Sequence, residues 1–493
     1  MNADVIVIGG GPNGLVAATL LARAGRKVLL LERGASVGGM AARFEVEGGL
    51  RCEGLLPRVL VPEALVREAG LGGLPAGEPS DTLLAENQGP GLLIPGSLEA
   101  AAGALSSQGL AAESKGLASI SAFVQQIRGL AEGVLLAPAP RVQGQPELAP
   151  LLRTGLGLRR LGKHTMLELL RLAPTSIEDL LREKLRDERL IATLCVDALH
   201  GTWMGPRSPG TSATWLLARV GGGRELSGPE LVAGLEQSAR ANGVQIQTGA
   251  AATRIRLEQG RVVGVEAAGL GAVDGKVVVS ALDPKTTLLG LVAPLALPPE
   301  IERDVRNVRS RGIQSWVLLG LNAAVEPGGR KGLSRFLVGP SLNDWERSFD
   351  AVKYGALPEH PTLDVRVGSD GLQVGVHGTP YDLRAGWTAE TRALLVERVV
   401  AQLATVLPGI REKITREAVI APPDIEARTG ARGGHVYHAE LALDQLWVAR
   451  PTLALSRQST GIPGLYLASP ATHPGGTWTG ASGALAARAV MAG

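Results

Sequence analysis

Residues 4–32 read DVIVIGGGPNGLVAATLLARAGRKVLLLE, and no other stretch limits the fold as tightly. An apolar run from Val5 to Ile8 ends in the glycine set Gly9, Gly11 and Gly14. A helical segment, Leu15 to Ala24, leads to a second apolar run, Val28 to Leu31, which closes on Glu32. Strand, glycine turn, helix, strand and acid together make a dinucleotide-binding βαβ unit. Gly9 permits the tight turn, Gly11 lets backbone approach a pyrophosphate, and Gly14 lets the helix pack closely on the strand. The helix N-terminus offers free N–H groups and a positive dipole end to the phosphates. Glu32 is placed to accept hydrogen bonds from an adenosine ribose diol.

The chain has 493 residues, too many for one core, so two or three domains are expected. Aromatics are only 3%, which leaves the core to Leu, Val, Ile and Ala and makes stacking platforms scarce. A net charge of +3 without a dense basic tract argues against nucleic acid as a partner. Cys52 and Cys195 lack CxxC or Cys/His spacing, so neither a disulfide framework nor a metal site is expected, and no thiol redox chemistry. The first strand begins at Asp4, which leaves no room for a signal peptide, and no apolar run reaches membrane-spanning length. A cytoplasmic protein is expected, with contact at a membrane surface as the variant.

Gly38-Gly39-Met40 follows the second strand and can bring backbone to the far side of a bound dinucleotide. Residues 62–131 read as helices broken by loops, and the Pro-rich residues 137–150 as a linker or long loop. Residues 151–172 read as a helix or helix pair, where Leu152, Leu156, Leu167 and Leu170 sit beside Arg153, Arg159, Arg160, Lys163 and Arg171. Such a segment suits a lid helix with a solvated basic face, the preferred reading, or an anionic membrane surface. A helix is expected from Ile177 to Leu199. The α/β pattern resumes from Gly221, with Gly221-Gly222-Gly223 lacking the strand that a second nucleotide turn needs. A helix is expected over residues 229–241, strands near 244–248, 253–257, 262–265 and 277–280, and then a mixed segment with strands at 315–319 and 372–377 and a helix at 389–407. The chain closes on a strand-like run, residues 464–468, the stretch THPGGTWTGASG, and a helix from about Ala484.

Several separated motifs carry a family resemblance. They are the N-terminal unit with Glu32-Arg33 and Gly38-Gly39, then Gly201 with Gly205-Pro206-Arg207-Ser208-Pro209-Gly210, then Val277-Val278-Val279-Ser280-Ala281-Leu282-Asp283-Pro284. Further on come Gly433-Gly434-His435-Val436-Tyr437-His438, Asp444-Gln445-Leu446, Arg450-Pro451, Leu465-Tyr466-Leu467, and Thr472-His473-Pro474-Gly475-Gly476 with Thr479-Gly480-Ala481. With these the chain resembles phytoene-desaturase-like flavoproteins, in the branch of pyridine nucleotide-disulphide oxidoreductase domain-containing protein 2. The resemblance implies an α/β fold: a discontinuous Rossmann-like FAD-binding domain (residues 1–75, 200–287 and 445–493), a helical lid (76–199) and a mixed-sheet substrate domain (288–444). It implies FAD held at Gly9, Gly11, Pro12, Asn13, Gly14, Glu32, Arg33, Gly38, Gly39, Met40, Ala252, Ser280, Ser469, Pro474, Gly475, Gly476 and Thr479. One departure stands out. Where the family has a Gly-rich or Gly-acid turn, this chain has Ala468-Ser469-Pro470-Ala471, which adds a side chain and removes an N–H donor.

The expected activity is dehydrogenation of an apolar, polyene or lipid-like small molecule by hydride transfer to flavin N5, with oxygen or a quinone as the external acceptor. His473, Trp478 and His438 are the candidate catalytic residues. Each has a plainer alternative: a histidine in a glycine-rich turn can hydrogen-bond backbone, and Trp478 can fill a gap. His435, Glu440 and Arg450 are further candidates to face a cavity. A flavin amine oxidase and a non-catalytic FAD-fold interaction protein are the competing readings; the first commonly cages its amine between aromatics, which are few here.

Overall fold

The computed structural model describes residues 2–56, 58–74, 80–86, 89–142, 146–221, 223–339 and 341–493. Gly222 and residues 143–145 of the Pro-rich stretch lie outside the described residues.

A five-stranded parallel sheet carries the nucleotide unit. Its order is Leu465–Leu467, Val277–Ser280, Val5–Ile8, Val28–Leu31, Gln245–Gln247. Every residue of Val5–Ile8 and Val28–Leu31 is buried, as parallel strands covered on both faces require. Strand periodicity splits them between two cores. Val5, Val7, Val28 and Leu30 face the helices, whereas Ile6, Ile8, Leu29 and Leu31 face an antiparallel three-stranded unit spanning Ala252–Asp274. The first helix, Pro12–Arg23, begins with proline at its N-terminus and ends at Gly25, whose φ of 83° lets Arg26 N–H return to the Leu21 carbonyl at 3.1 Å.

That helix packs against the last one, Ala481–Ala492, with almost no spacing. The Gly483 N–H donates to Asn13 Oδ1 at 3.2 Å, and a Cβ on Gly483 would lie 2.0 Å from the Asn13 carbonyl oxygen. The beginning and end of the chain thus share one backbone contact, and both helices turn their N-termini toward the carboxyl ends of the strands, where open α/β sheets bind ligands.

The second sheet has seven strands in the order Ile414–Ile420, Gln314–Leu321, Gly371–His377, Leu363–Val367, Arg335–Val338, Thr82–Leu84, Leu92–Ile94. One face packs on the helix Ala389–Ala404 through Val317, Phe336, Val338, Leu363 and Val365. The alternate residues Gln314, Trp316, Arg335, Leu337, Asp364 and Arg366 point to the opposite face.

Two local expectations change. Residues 76–199, read as a helical lid, also supply the strands Thr82–Leu84 and Leu92–Ile94, which join the seven-stranded sheet through a parallel pairing of Leu83 with Phe336. Runs of three apolar residues between turns are too short to show a period. The single helix expected over 177–199 is three, Ile177–Arg182, Glu188–Leu194 and Val196–Leu199; Asp187 caps the N-terminus of the second, and Cys195 lies between the second and the third. Residues 151–172 form a pair, Leu148–Arg160 and Lys163–Leu172, broken at Gly162 (φ 85°). Leu148, Leu152, Leu156, Leu167 and Leu170 are more than half exposed on it. No helix among the described residues is long and apolar enough to cross a membrane.

A Cβ at position 14 would lie 2.0 Å from the Gly9 carbonyl oxygen. Gly14→Ala is therefore expected to force helix and strand apart, at a cost on the order of 3 kcal/mol, seen as a lowered midpoint in thermal unfolding.

Candidate active site

An elongated cavity of about 770 Å³ runs across the carboxyl ends of the parallel strands. One end is built from Gly9, Gly11, Pro12, Asn13, Glu32, Arg33, Gly39 and Met40, with Ala252 on the rim. The other end is formed by Val436, Tyr437, His438, Pro470, Gly476 and Thr479.

The glycines divide the work as their surroundings dictate. Gly9 has φ 95°, a conformation that favours glycine. Gly14 is held against the Gly9 backbone. Gly11 has ordinary extended angles (φ −67°, ψ 171°), and a Cβ there would meet nothing within 4 Å. No protein contact demands glycine at position 11; the open space beside it is the space of a ligand. Gly39 brings its own Cβ position within 3.4 Å of Gly11 Cα, and Gly38 N–H donates to the Gly10 carbonyl at 2.8 Å, so the paired glycines form the second wall. Glu32 Oε2 accepts from Gly10 N–H and Oε1 from Gly34 N–H, both at 2.7 Å. A carboxylate has about four acceptor sites, so capacity remains for a ribose diol. Arg33 does not reach into the cavity for a charge partner. Its Nη2 donates to the carbonyls of Ala427 and Arg428 at 3.1 and 2.7 Å, which ties the C-terminal turn of the helix Pro422–Thr429 over the adenosine end.

The far end differs more from expectation. His473 is fully buried but does not line the cavity: its Nε2 meets the Ala137 carbonyl at 3.0 Å, and burial lowers it to about 4. It joins the glycine-rich turn to the end of a long lid helix, Ala111–Leu135. Trp478 is likewise a core residue, 1% exposed, with Nε1 donating to the Leu217 carbonyl at 3.0 Å. His438 does line the cavity. Its φ of 60° is rare for a residue with a side chain, its Nδ1 stands 3.0 Å from Ser469 Oγ, and burial lowers it to about 4, so the ring is neutral at pH 7. Ser469 turns its hydroxyl to His438 and to the Ala471 N–H (3.1 Å), away from the cavity, and the Pro470 ring forms the wall instead. Ser280 is also beneath the surface, bonded to Thr287 Oγ1 at 2.7 Å. His435 is buried, with Nδ1 accepting from Tyr437 N–H, and Glu440 is taken up by Arg309 and Arg311.

Behind the turn lies Arg450, which is 0% exposed. All five of its N–H groups go to carbonyls: Nε and Nη2 to Pro470, Nη1 to Glu440 and Gln445, Nη2 also to Ala439. No carboxylate compensates it, and burial lowers it to about 9. A Cβ on Gly475 would touch Arg450 Nε at 2.0 Å, so glycine is obligatory there. Pro474 and Gly475 thus carry the turn over the guanidinium, and Gly476 reaches the cavity.

Tyr437 and Thr479 have cavities on both sides. Beyond them is a second cavity of about 250 Å³, whose charged wall includes Arg58, Arg219, Arg335, Arg366, Asp197, Asp364 and Glu225. Sequence reading did not single out this wall. Its signal was present in Leu363-Asp364-Val365-Arg366-Val367, where charges alternate with core residues instead of sitting at turns.

Residues 7–64 match the NAD(P)-binding Rossmann-like domain model. The chain is 25% identical to pyridine nucleotide-disulfide oxidoreductase domain-containing protein 2 of Rattus norvegicus, across 99% of this chain and 93% of that protein. It is 28% identical to hydroxyneurosporene desaturase of Rhodobacter capsulatus, across 99% and 98%. Among solved structures, a putrescine oxidase double mutant from a redesign of cofactor binding superposes with a TM-score of 0.61 at 16% identity, covering 100% of this chain and 99% of that one; that likeness is one of fold. The chain is thus similar over nearly its whole length to an oxidoreductase-domain protein and a desaturase, it shares its fold with an amine oxidase, and the cradle fits FAD.

Two outcomes follow. Gly11→Ala is expected to leave the unfolding midpoint nearly unchanged while weakening FAD at least tenfold, by fluorescence titration of the flavin. Five of the seven histidines, His200, His377, His435, His438 and His473, are held neutral by burial well below their ordinary value. The unfolded chain therefore binds more protons than the native one between about pH 6.5 and 4, and stability is lost as pH falls through that window. Unfolding midpoints measured from pH 7.5 to 4 should fall, with a shallower slope for His473→Gln.

Proposed function

We propose that this chain dehydrogenates a small molecule with a hydrocarbon skeleton, seated where Tyr437 and Thr479 separate the two cavities. The observation that carries the reading is that shared wall: it puts a candidate substrate chamber next to the end of the cradle opposite the adenosine site. Bound FAD would supply the two-electron oxidation, with oxygen or a quinone as the external acceptor. A CH–CH unit loses one hydride and one proton and gains a double bond.

The protein's share is placement and proton handling. Leu56, Val59, Leu60, Ile94, Leu194 and Leu337 offer apolar surface to the carbon skeleton. Near-attack positioning alone supplies much of the acceleration for such a step. Burial keeps His438 neutral on the cradle side of the wall, and Tyr437, whose hydroxyl burial pushes well above its ordinary range, stays protonated and holds its place. The N-termini of the helices Pro12–Arg23 and Ala481–Ala492 favour negative charge on a bound dinucleotide. Arg450, a buried uncompensated cation, favours a reduced, more negative cofactor at the other end.

An amine oxidase would need an aromatic or anionic seat for an ammonium group. The acids of the second cavity are each engaged by arginine: Asp197 by Arg219, Glu225 by Arg58 and Asp364 by Arg335. A non-catalytic role drew on Ser469 and Pro470, yet the Ser469 side chain leaves the cavity clear.

Purified protein should be yellow, carry one FAD per chain and gain thermal stability when FAD is added. A colourless protein whose unfolding midpoint ignores FAD would refute the reading. Peroxide release on an amine panel would favour the amine oxidase.

A further inference from the structure

The second cavity has an excess of hydrogen-bond donors. Three of its four arginines are paired: Arg58 with Glu225, Arg219 with Asp197, and Arg335 with Asp364, the last at 2.8 Å. The Arg366 side chain has no hydrogen bond or ion pair among the described residues, and its Nε is buried without a partner. The same is true of Arg219 Nε, Trp316 Nε1 and Thr477 Oγ1, all from residues that line this cavity. Arginine and tryptophan nitrogens only donate. Leaving such groups unmatched is costly, most of all for a charged one, so an acceptor bound against Arg366 would relieve the arrangement.

Arg366 also occupies a junction. With Arg58, Glu225 and Ser80 it lines both this cavity and a neighbouring one of about 380 Å³, edged by Arg51, Glu53 and Asp370. Its strand places it directly across from Arg335, and Asp364, two residues before it on the same face, is already committed to a bidentate pair with Arg335. Burial lowers Arg366 only to about 10, and it remains a cation at neutral pH.

We infer that Arg366 is a specificity-determining residue that binds the anionic group, carboxylate or phosphate, of the substrate oxidised at the Tyr437–Thr479 wall. A guanidinium fork matches either oxyanion with two parallel hydrogen bonds. The anion would anchor one end of the molecule at the cavity junction and extend its hydrocarbon part toward Tyr437. The assignment of the reacting end rests on the proposed function; anion binding itself does not need the flavin.

The test is calorimetric titration of the purified protein, with flavin content recorded, using succinate, inorganic phosphate, butane-1,4-diol and putrescine in a chloride-poor buffer. Saturable binding of succinate or phosphate, without binding of the diol or diamine, is expected; the stronger anion identifies carboxylate or phosphate as the natural group. Arg366→Gln should weaken that binding at least tenfold and Arg366→Lys less. Because an unpaired buried charge is removed, Arg366→Gln should unfold at a higher temperature than the wild type when no anion is present. A structural arginine would give the opposite shift. Absence of anion binding in wild type, preference for putrescine, or equal affinity in Arg366→Gln overturns the inference. A protein that binds the anions but takes no FAD overturns the proposed oxidation and leaves the anion site standing.

Discussion

Everything at the active site depends on the backbone contact between Asn13 and Gly483. It joins the helix that follows the glycine turn to the helix that follows the Pro470–Thr479 stretch, leaving no room for even a methyl group between them. Because both helices begin beside this contact, it fixes the distance between the glycine turn and the Pro470–Thr479 stretch that precede them. A dinucleotide of fixed span needs that distance held, and two helices touching through backbone vary less than two helices packed through long side chains. The fourfold carbonyl cage around Arg450 acts similarly at the distal end. It fixes Pro470 relative to Ala439, Glu440 and Gln445 by hydrogen bonds from one planar group.

The adenosine half of the site was legible in the sequence because its requirements are local. Gly9, Gly14, Glu32 and their strands lie within about thirty residues, and strict burial on both faces makes the strands continuous apolar runs, which is why Val5–Ile8, Val28–Leu31 and Val277–Ser280 form over the residues that the pattern marks. The distal half was less legible because its side chains answer to distant partners. Nothing near His473 in sequence says that its ring meets Ala137, and nothing near Ser469 says that its hydroxyl turns to His438. Trp478 looks equally suited to a flavin or to a core until Leu217 takes its N–H. The strands Thr82–Leu84 and Leu92–Ile94 escaped for another reason: three residues cannot display an alternation.

The second sheet shows how one strand period serves two ends. Its outer residues build a core with the helix Ala389–Ala404, while the residues between them floor a cavity with paired and unpaired charge. Such a floor is rigid, since each side chain stands on a hydrogen-bonded strand, and it can hold charges at fixed spacing more accurately than loops could. The partition of Tyr437 and Thr479 lies between this floor and the cradle, so each sheet stands under one of the two cavities.

The order of strands in the parallel sheet carries a consequence for how the protein is made. The central strand, Val5–Ile8, emerges first from the ribosome, its neighbour Val277–Ser280 only after more than half of the chain, and the edge strand Leu465–Leu467 near the end. The nascent chain therefore holds an apolar, half-paired sheet for most of its synthesis, at about 5–20 residues per second. Such an edge invites wrong partners, and the nucleotide cradle is closed only when Gly483 reaches Asn13.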